Sequence, residues 1–266
     1  MDELRIAARS SPCEPMGGVQ IIAPVGAGKT EAAKIFARRA NTNAEEGTSP
    51  VALVTLNSAG TTKSIPVSIL SSLGEPRPDR GSESVLWMRA RRCLSERKVE
   101  LLVLDEMDRA ARRPTIRYPI ASSLRDLADE GSVPLAFICT EKSNELFRNA
   151  PDLSQRLYSP VILHPFDWLI DDDRQLILDL VRGFDEGIAN AGILPQESGL
   201  AQTEIVEKLA IASNGILRQL QKIIGTALAN VVRRGDQRID VEDLRDAVDD
   251  WSIAKRYISD NPFGTG

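Results

Sequence analysis

The sequence predicts an α/β protein, a parallel sheet flanked by helices, followed by a small all-helical domain. Three features carry that prediction. Apolar runs of strand length alternate with helical segments as far as Pro165, the pattern of parallel strands joined by crossover helices. The first of these runs ends at a Gly-rich turn directly before a helix. Beyond Pro165 the helical spacing continues without a convincing strand, so the expected division is a core over 1–165 and a helical domain over 166–266.

Each element follows from local pattern. Val19 to Ala23 (VQIIA) is a short apolar strand, and Lys29 to Ala40 the helix after the turn. A polar loop precedes Val51 to Leu56 (VALVTL), the second strand, and Asn57 to Pro66 is a further loop. A helix from about Val67 stops at Leu73-Gly74, because glycine ends helices readily. Ser84 to Lys98 has helical spacing, Leu101 to Leu104 is the third strand, and a helix runs from about Thr115 to Ala128 after a basic loop. Pro134 to Cys139 and Val161 to Leu163 supply the fourth and fifth strands. Four helices then cover roughly Asp172 to Ala191, Gln202 to Ser213, Gly215 to Arg234 and Val241 to Tyr257.

Composition narrows the chemistry. The 266 residues are 42% hydrophobic and 27% charged, enough to bury a full core without staples. A net charge of -5 excludes a bulk polycation that coats nucleic acid, although not a local basic surface. The single histidine, His164, excludes a multi-histidine metal site. Cys13, Cys93 and Cys139 lie far apart and fit a reducing compartment, so the expected location is the cytoplasm. The N-terminal MDELRIAARSS lacks the apolar core of a signal peptide, and no apolar run is long enough to span a membrane.

The strongest motif is Ala23-Pro24-Val25-Gly26-Ala27-Gly28-Lys29-Thr30, set between a strand and a helix as a phosphate-binding P-loop requires. Its glycines let backbone N–H groups turn around phosphate oxygens, and the helix N-terminus adds positive dipole. Lys29 would reach the β- and γ-phosphates, and Thr30 would place its hydroxyl on Mg²⁺. Ala23 stands where the motif usually has its first glycine. Leu101 to Glu106 (LLVLDE) is the second half: an apolar strand presents Asp105 to Mg²⁺ and Glu106 to the attacking water. A strand that merely ends in solvated acids is the plain alternative, and the paired P-loop decides against it.

This pairing ahead of a helical lid resembles the AAA+ ATPases, a branch (ASCE) of the P-loop proteins. Under that resemblance Thr140, ending the fourth strand, takes the place of the sensor-1 residue that watches the γ-phosphate. Asp152-Leu153-Ser154-Gln155-Arg156 resembles the segment carrying an arginine finger, so Arg156 would reach the next protomer's nucleotide. Gly215-Ile216-Leu217-Arg218 looks like the sensor-2 motif, with Arg218 coupling the lid to the same phosphates. Ile239-Asp240-Val241-Glu242 resembles the usual start of the last lid helix. From about Gln20 to Trp251 the chain is also similar to the TniB family of transposition ATPases, relatives of TnsC and MuB. The cues are the Asn57 to Pro66 loop before ILSSLG, the strand LLVLDE, Arg156 in DLSQRL, and Leu163 to Trp168 (LHPFDW). Two departures are the short stretch ahead of the P-loop and Met107-Asp108 after the acids.

The resemblance implies ATP and Mg²⁺ as cofactors and a nucleotide-dependent helical filament or ring on double-stranded DNA. It also implies a transposase as partner, with room for a further transposition factor. An AAA+ loader or remodeller acting on another protein, and a scaffold that binds nucleotide without hydrolysing it, are the other readings. Charge is divided along the chain: residues 1–165 hold 22 Lys and Arg against 20 Asp and Glu, and residues 166–266 hold 11 against 18. The candidate DNA contacts are Thr61, Thr62 and Lys63 in one loop and Arg109, Arg112, Arg113 and Arg117 in another. Arg89 to Lys98 is a second basic cluster, and an ordinary solvated face is the plain alternative for each. Aromatic residues are 5% of the chain and none interleaves with these clusters, which disfavours a base-stacking single-strand binder. Replacing Arg112 and Arg113 by alanine is expected to weaken DNA binding and lower its log–log salt slope by about 1–2. An unchanged salt titration would move the DNA face elsewhere.

Overall fold

The computed structural model describes residues 1–10, 17–56, 61–111, 114–129 and 133–264. These form two compact units, Met1–Ala23 with Lys29–Leu163, and Pro24–Gly28 with His164–Gly266.

The first unit is built on a five-stranded sheet of β1 (Gly18–Ile22), β2 (Val51–Thr55), β3 (Leu101–Asp105), β4 (Leu135–Cys139) and β5 (Val161–Ile162). The strands are parallel, in the order β2-β3-β4-β1-β5. Parallel pairing needs a crossover between neighbours, which is why helices cover both faces. These are α1 (Asp2–Ser10), α2 (Lys29–Asn41), α3 (Ser64–Ser72), α4 (Glu83–Glu96), α5 (Asp108–Ala111), α6 (Pro114–Asp129), α7 (Asn144–Arg148) and α8 (Pro151–Ser154).

The period of two along a strand separates the two faces. Leu102, Leu104, Leu135 and Phe137 pack into the cluster holding Ile69, Leu70, Leu86 and Leu124 from α3, α4 and α6. Leu101, Val103, Ala136 and Ile138 face the opposite cluster with Leu4, Ala33 and Ala37 from α1 and α2. Because β3 and β4 are buried on both faces, they read as unbroken apolar runs in the sequence. Phe137 meets Phe147 edge to face, ring centroids 5.2 Å apart. Trp87 is buried in the first of these cores.

Helix α3 starts at Ser64, inside the expected loop, α7 and α8 have no counterpart in the sequence expectation, and three further elements differ from it. The stretch after β3, expected as a basic loop, starts as one helical turn, α5, with Asp108 at its head. The N-terminal residues form α1, which buries Leu4 and pairs Arg5 with Glu100 at 3.0 Å. The last lid helix ends early, as given below. Cys93 and Cys139 are buried free thiols, and Cys13 lies outside the described residues.

The second unit is helical: α9 (Asp171–Asn190), α10 (Thr203–Ala212), α11 (Leu217–Arg234) and α12 (Val241–Val248). Leu220, Ile223, Ile224, Ala227 and Val231 recur at helical spacing along α11 and form its core with Val181, Leu209 and Leu244. Trp168 and Trp251 pack against this core. An Asp240–Asp243 capping box opens α12, and Gly235 closes α11 in the left-handed region. After Val248 the chain widens into a π-type turn, Asp249–Ile253, where the buried Ser252 hydroxyl donates to Ala212 O. Among the described residues no helix is long and apolar enough to cross a membrane.

One buried acid organises the loop between α9 and α10. Asp185, 3% exposed, accepts the N–H groups of Ser198, Gly199 and Leu200 at 2.7–2.9 Å. Asp185→Ala leaves one buried and two part-buried donors unpaired and should destabilise the chain by about 3 kcal/mol in denaturant unfolding. A midpoint equal to that of the parent protein would contradict this assignment.

Candidate functional site

In a parallel sheet the loops that follow the strands gather along one edge, and the polar residues of the motifs lie there. β1 leads into the P-loop, where Ala23 N donates to Cys139 O (3.2 Å) and the Lys29 ammonium donates to Ala23 O (2.8 Å). Thr30, in the first turn of α2, donates its hydroxyl to Asp105 Oδ2 at 2.7 Å. Asp105 is 2% exposed and spends its other oxygen on Glu106 N (2.8 Å). The structure thus brings Lys29, Thr30, Asp105 and Glu106 to one place.

Glu106 has φ of 62°. That left-handed conformation costs a non-glycine residue about 1–2 kcal/mol, and the surroundings must hold it. Its side chain pairs with Arg109 at 3.2 Å, both groups partly exposed. Asp108 lies two residues beyond Glu106. Its Oδ1 accepts from Thr140 N (3.2 Å), from the Thr140 hydroxyl (2.7 Å) and from the Ser143 hydroxyl. Thr140 is therefore beside the same strand ends, with its hydroxyl proton committed to Asp108.

Burial pushes the Lys29 ammonium below the usual lysine range, while Asp108, then Asp105, then Glu106 favour its charged form. Burial also pushes the Cys139 thiol up to about 12, which makes it inert as a nucleophile. Beside Lys29 lies a cavity of about 520 Å³, largely apolar, with Leu4, Val19, Ile21, Ala33 and Leu163 in its walls.

Pro24–Gly28 groups with the helical unit. Gly26 and Gly28 have φ of 89° and 83°, as a loop that turns its N–H groups inward requires. Arg218, exposed at the start of α11, donates its backbone N–H to Gly26 O at 3.0 Å. A Cβ on Gly26 would stand 2.9 Å from Arg218 Cβ. Gly215 is fixed as strictly, since a Cβ there would meet Phe166 O at 2.0 Å. Val25 projects into solvent.

Arg156 stands elsewhere. Its carbonyl accepts Gly18 N at the head of β1, the end opposite the P-loop, and its guanidinium grips Asp129 through both oxygens. A five-residue strand spans about 16 Å, so Arg156 does not reach the Lys29 group of its own chain. Among the DNA candidates, Thr61 and Lys63 are exposed before α3, with Thr62 bonded to Glu83 and Lys63 to Gly81 O (3.3 Å). Arg112 and Arg113, and the side chain of Arg117, lie outside the described residues. The sequence reading missed Asp108, Ser143, Asp129 and the apolar cavity, of which Asp108 alone carried a local signal, a third acid just after the strand.

Among the described residues no cluster of three or more His, Cys, Asp or Glu side chains is arranged to hold a metal. Thr30 and Asp105 still suit Mg²⁺, which keeps most of its waters and takes remaining oxygens from phosphates.

Residues 16–147 match the family model described as an AAA domain. No curated protein sequence matches the chain. Among solved structures it is similar to Cdc6p from Pyrobaculum aerophilum (17% identity, TM-score 0.63, covering 94% of this chain and 65% of that one). It is also similar to the Aeropyrum pernix ORC1 protein in complex with DNA (21%, 0.61, 92% and 63%). The Aeropyrum pernix ORC2 protein in ADPNP-ADP complexes is a third (18%, 0.67, 94% and 67%). The chain spans just under two thirds of the first two proteins' length. With the five-stranded parallel sheet and its helical C-terminal region, these likenesses show that the chain has the P-loop AAA+ fold, and its similarity to the AAA domain model spans residues 16–147.

Proposed function

We propose that the chain is an ATPase that binds ATP with Mg²⁺ at the P-loop and uses hydrolysis to control assembly on double-stranded DNA. As a transposition regulator it would recruit a transposase to that DNA, working in the cytoplasm. The observation that carries the ATP reading is the bond from Thr30 to the buried Asp105, with Lys29 and Glu106 beside it.

In this reading the core, 1–165, holds the nucleotide, and the lid, 166–266, responds to it. Lys29 exchanges its bond to Ala23 O for phosphate oxygens. Mg²⁺ bound by Thr30 and Asp105 would neutralise charge on the phosphoryl oxygens. Glu106 orients the attacking water once it releases Arg109, and Thr140, bonded to Asp108, directly follows the neighbouring strand β4. Arg218 follows the P-loop through its bond to Gly26. The apolar cavity is of a size and character that suits a flat base, and the ORC2 structure with ADPNP and ADP gives a precedent for the ligand.

The position of Arg156 supports assembly. A guanidinium at the far end of β1 serves a neighbour's nucleotide, and such a finger supplied in trans is worth about 10³–10⁵ in rate. Hydrolysis then depends on assembly, and the ATP state times the complex. For DNA, the exposed Thr61 and Lys63, with Thr62, Arg109, Arg112, Arg113 and Arg117, offer backbone contacts that read no sequence. The likeness to an ORC1 structure in complex with DNA supports that partner, and the TniB-like cues support the transposase.

ATP binding and turnover of Lys29→Ala and Glu106→Gln, each with and without duplex DNA, test the reading. Lys29→Ala should lose ATP binding, whereas Glu106→Gln should bind normally and hydrolyse about 10²-fold more slowly. Retained binding in the first, or normal turnover in the second, would overturn the assigned roles.

A further inference from the structure

The carboxylate of Asp108 joins three parts of the molecule that are far apart in sequence. Along the chain it is two residues from Glu106. Through space its Oδ1 takes the backbone N–H and the hydroxyl of Thr140, 32 residues on, and the hydroxyl of the fully buried Ser143, 35 residues on. It is also the foremost of the acids that favour the charged form of Lys29.

The turn that needs such an anchor is the one at Glu106. A left-handed glutamate relaxes unless both flanks are held. On the strand side, Asp105 Oδ1 accepts Glu106 N (2.8 Å). On the helix side, Met107 N reaches Ile138 O at 3.4 Å, a long and weak bond, and Asp108 follows at once with three donors from the end of β4. The Thr140 hydroxyl has one proton, given to Asp108, and its oxygen also accepts Lys142 N (3.3 Å). One carboxylate therefore fixes both the strained turn and the Thr140 side chain.

We propose that Asp108 is the positioning residue of this site, clamping the end of β3 to the end of β4 so that Glu106 and Thr140 keep one geometry. The clamp is read from the geometry; its effect on catalysis rests on the ATPase reading above. Asp108 itself need not touch the nucleotide. It acts through Glu106, and an asparagine, whose amide oxygen still accepts hydrogen bonds, should replace it in part.

The experiment compares wild type, Asp108→Ala and Asp108→Asn by amide hydrogen exchange without nucleotide, by equilibrium binding of ATP with Mg²⁺, and by kcat. Asp108→Ala should speed exchange of the Glu106 and Met107 amides about tenfold or more, while the amides of β2 change little. It should lower kcat about tenfold or more with ATP affinity held within about threefold, and Asp108→Asn should recover part of both. Unchanged exchange at Glu106 and Met107 overturns the clamp whether or not the protein hydrolyses ATP. Exchange that rises equally across the sheet, with no recovery by asparagine, also overturns it, because Asp108 is then a general stabiliser. Locally faster exchange in a protein that never hydrolyses ATP supports the clamp and sinks the ATPase reading instead.

Discussion

The hydrogen bond from the Thr30 hydroxyl to the Asp105 carboxylate ties the first turn of α2 to the end of β3, two strands away across the sheet. It exists because the strands are parallel. Parallel order brings their C-terminal ends to one edge, so residues 75 apart in sequence become neighbours. A buried carboxylate is tolerable only when its oxygens are satisfied, and here Thr30 takes one while Glu106 N takes the other. The apolar face packing on either side of β3 exists in part to hold that acid where Lys29 and Thr30 can meet it.

Charge at that edge explains how the site suits its proposed ligand. Asp105, Glu106 and Asp108 all act on one half-buried lysine, Lys29, an excess of negative charge that disfavours a bare polyanion. A divalent cation on Thr30 and Asp105 reverses the balance, which is the physical reason for pairing nucleotide with Mg²⁺. The Arg109 partner of Glu106 and the Asp129 partner of Arg156 keep two further charges occupied within the chain. Both pairs are partly exposed and therefore weak, so a phosphate or a neighbouring chain can compete for them.

What was legible in the sequence was local. The strand, turn and helix around Gly26 to Thr30 follow from neighbouring residues, as does the apolar run into Asp105 and Glu106. The fold class followed from the same alternation of strands and helices, and the five-stranded parallel sheet matches it. What escaped depends on pairing across the fold. Nothing adjacent to Asp108 points to Thr140 or Ser143, nothing beside Arg156 points to Asp129, and nothing near Asp185 points to the loop at Ser198. The basic stretch after β3 was read as a loop because its arginines masked the helix-forming pair Ala110-Ala111 behind an acidic first residue.

The claim on which the rest stands is that Thr30 and Asp105, beside Lys29, form a Mg²⁺–nucleotide site. Calorimetric titration of the full chain with ATP, once in Mg²⁺ and once in a chelator, tests it most directly. The predicted result is one-site binding in Mg²⁺ that weakens about tenfold or more when the metal is withdrawn. Absence of binding in both conditions would contradict it.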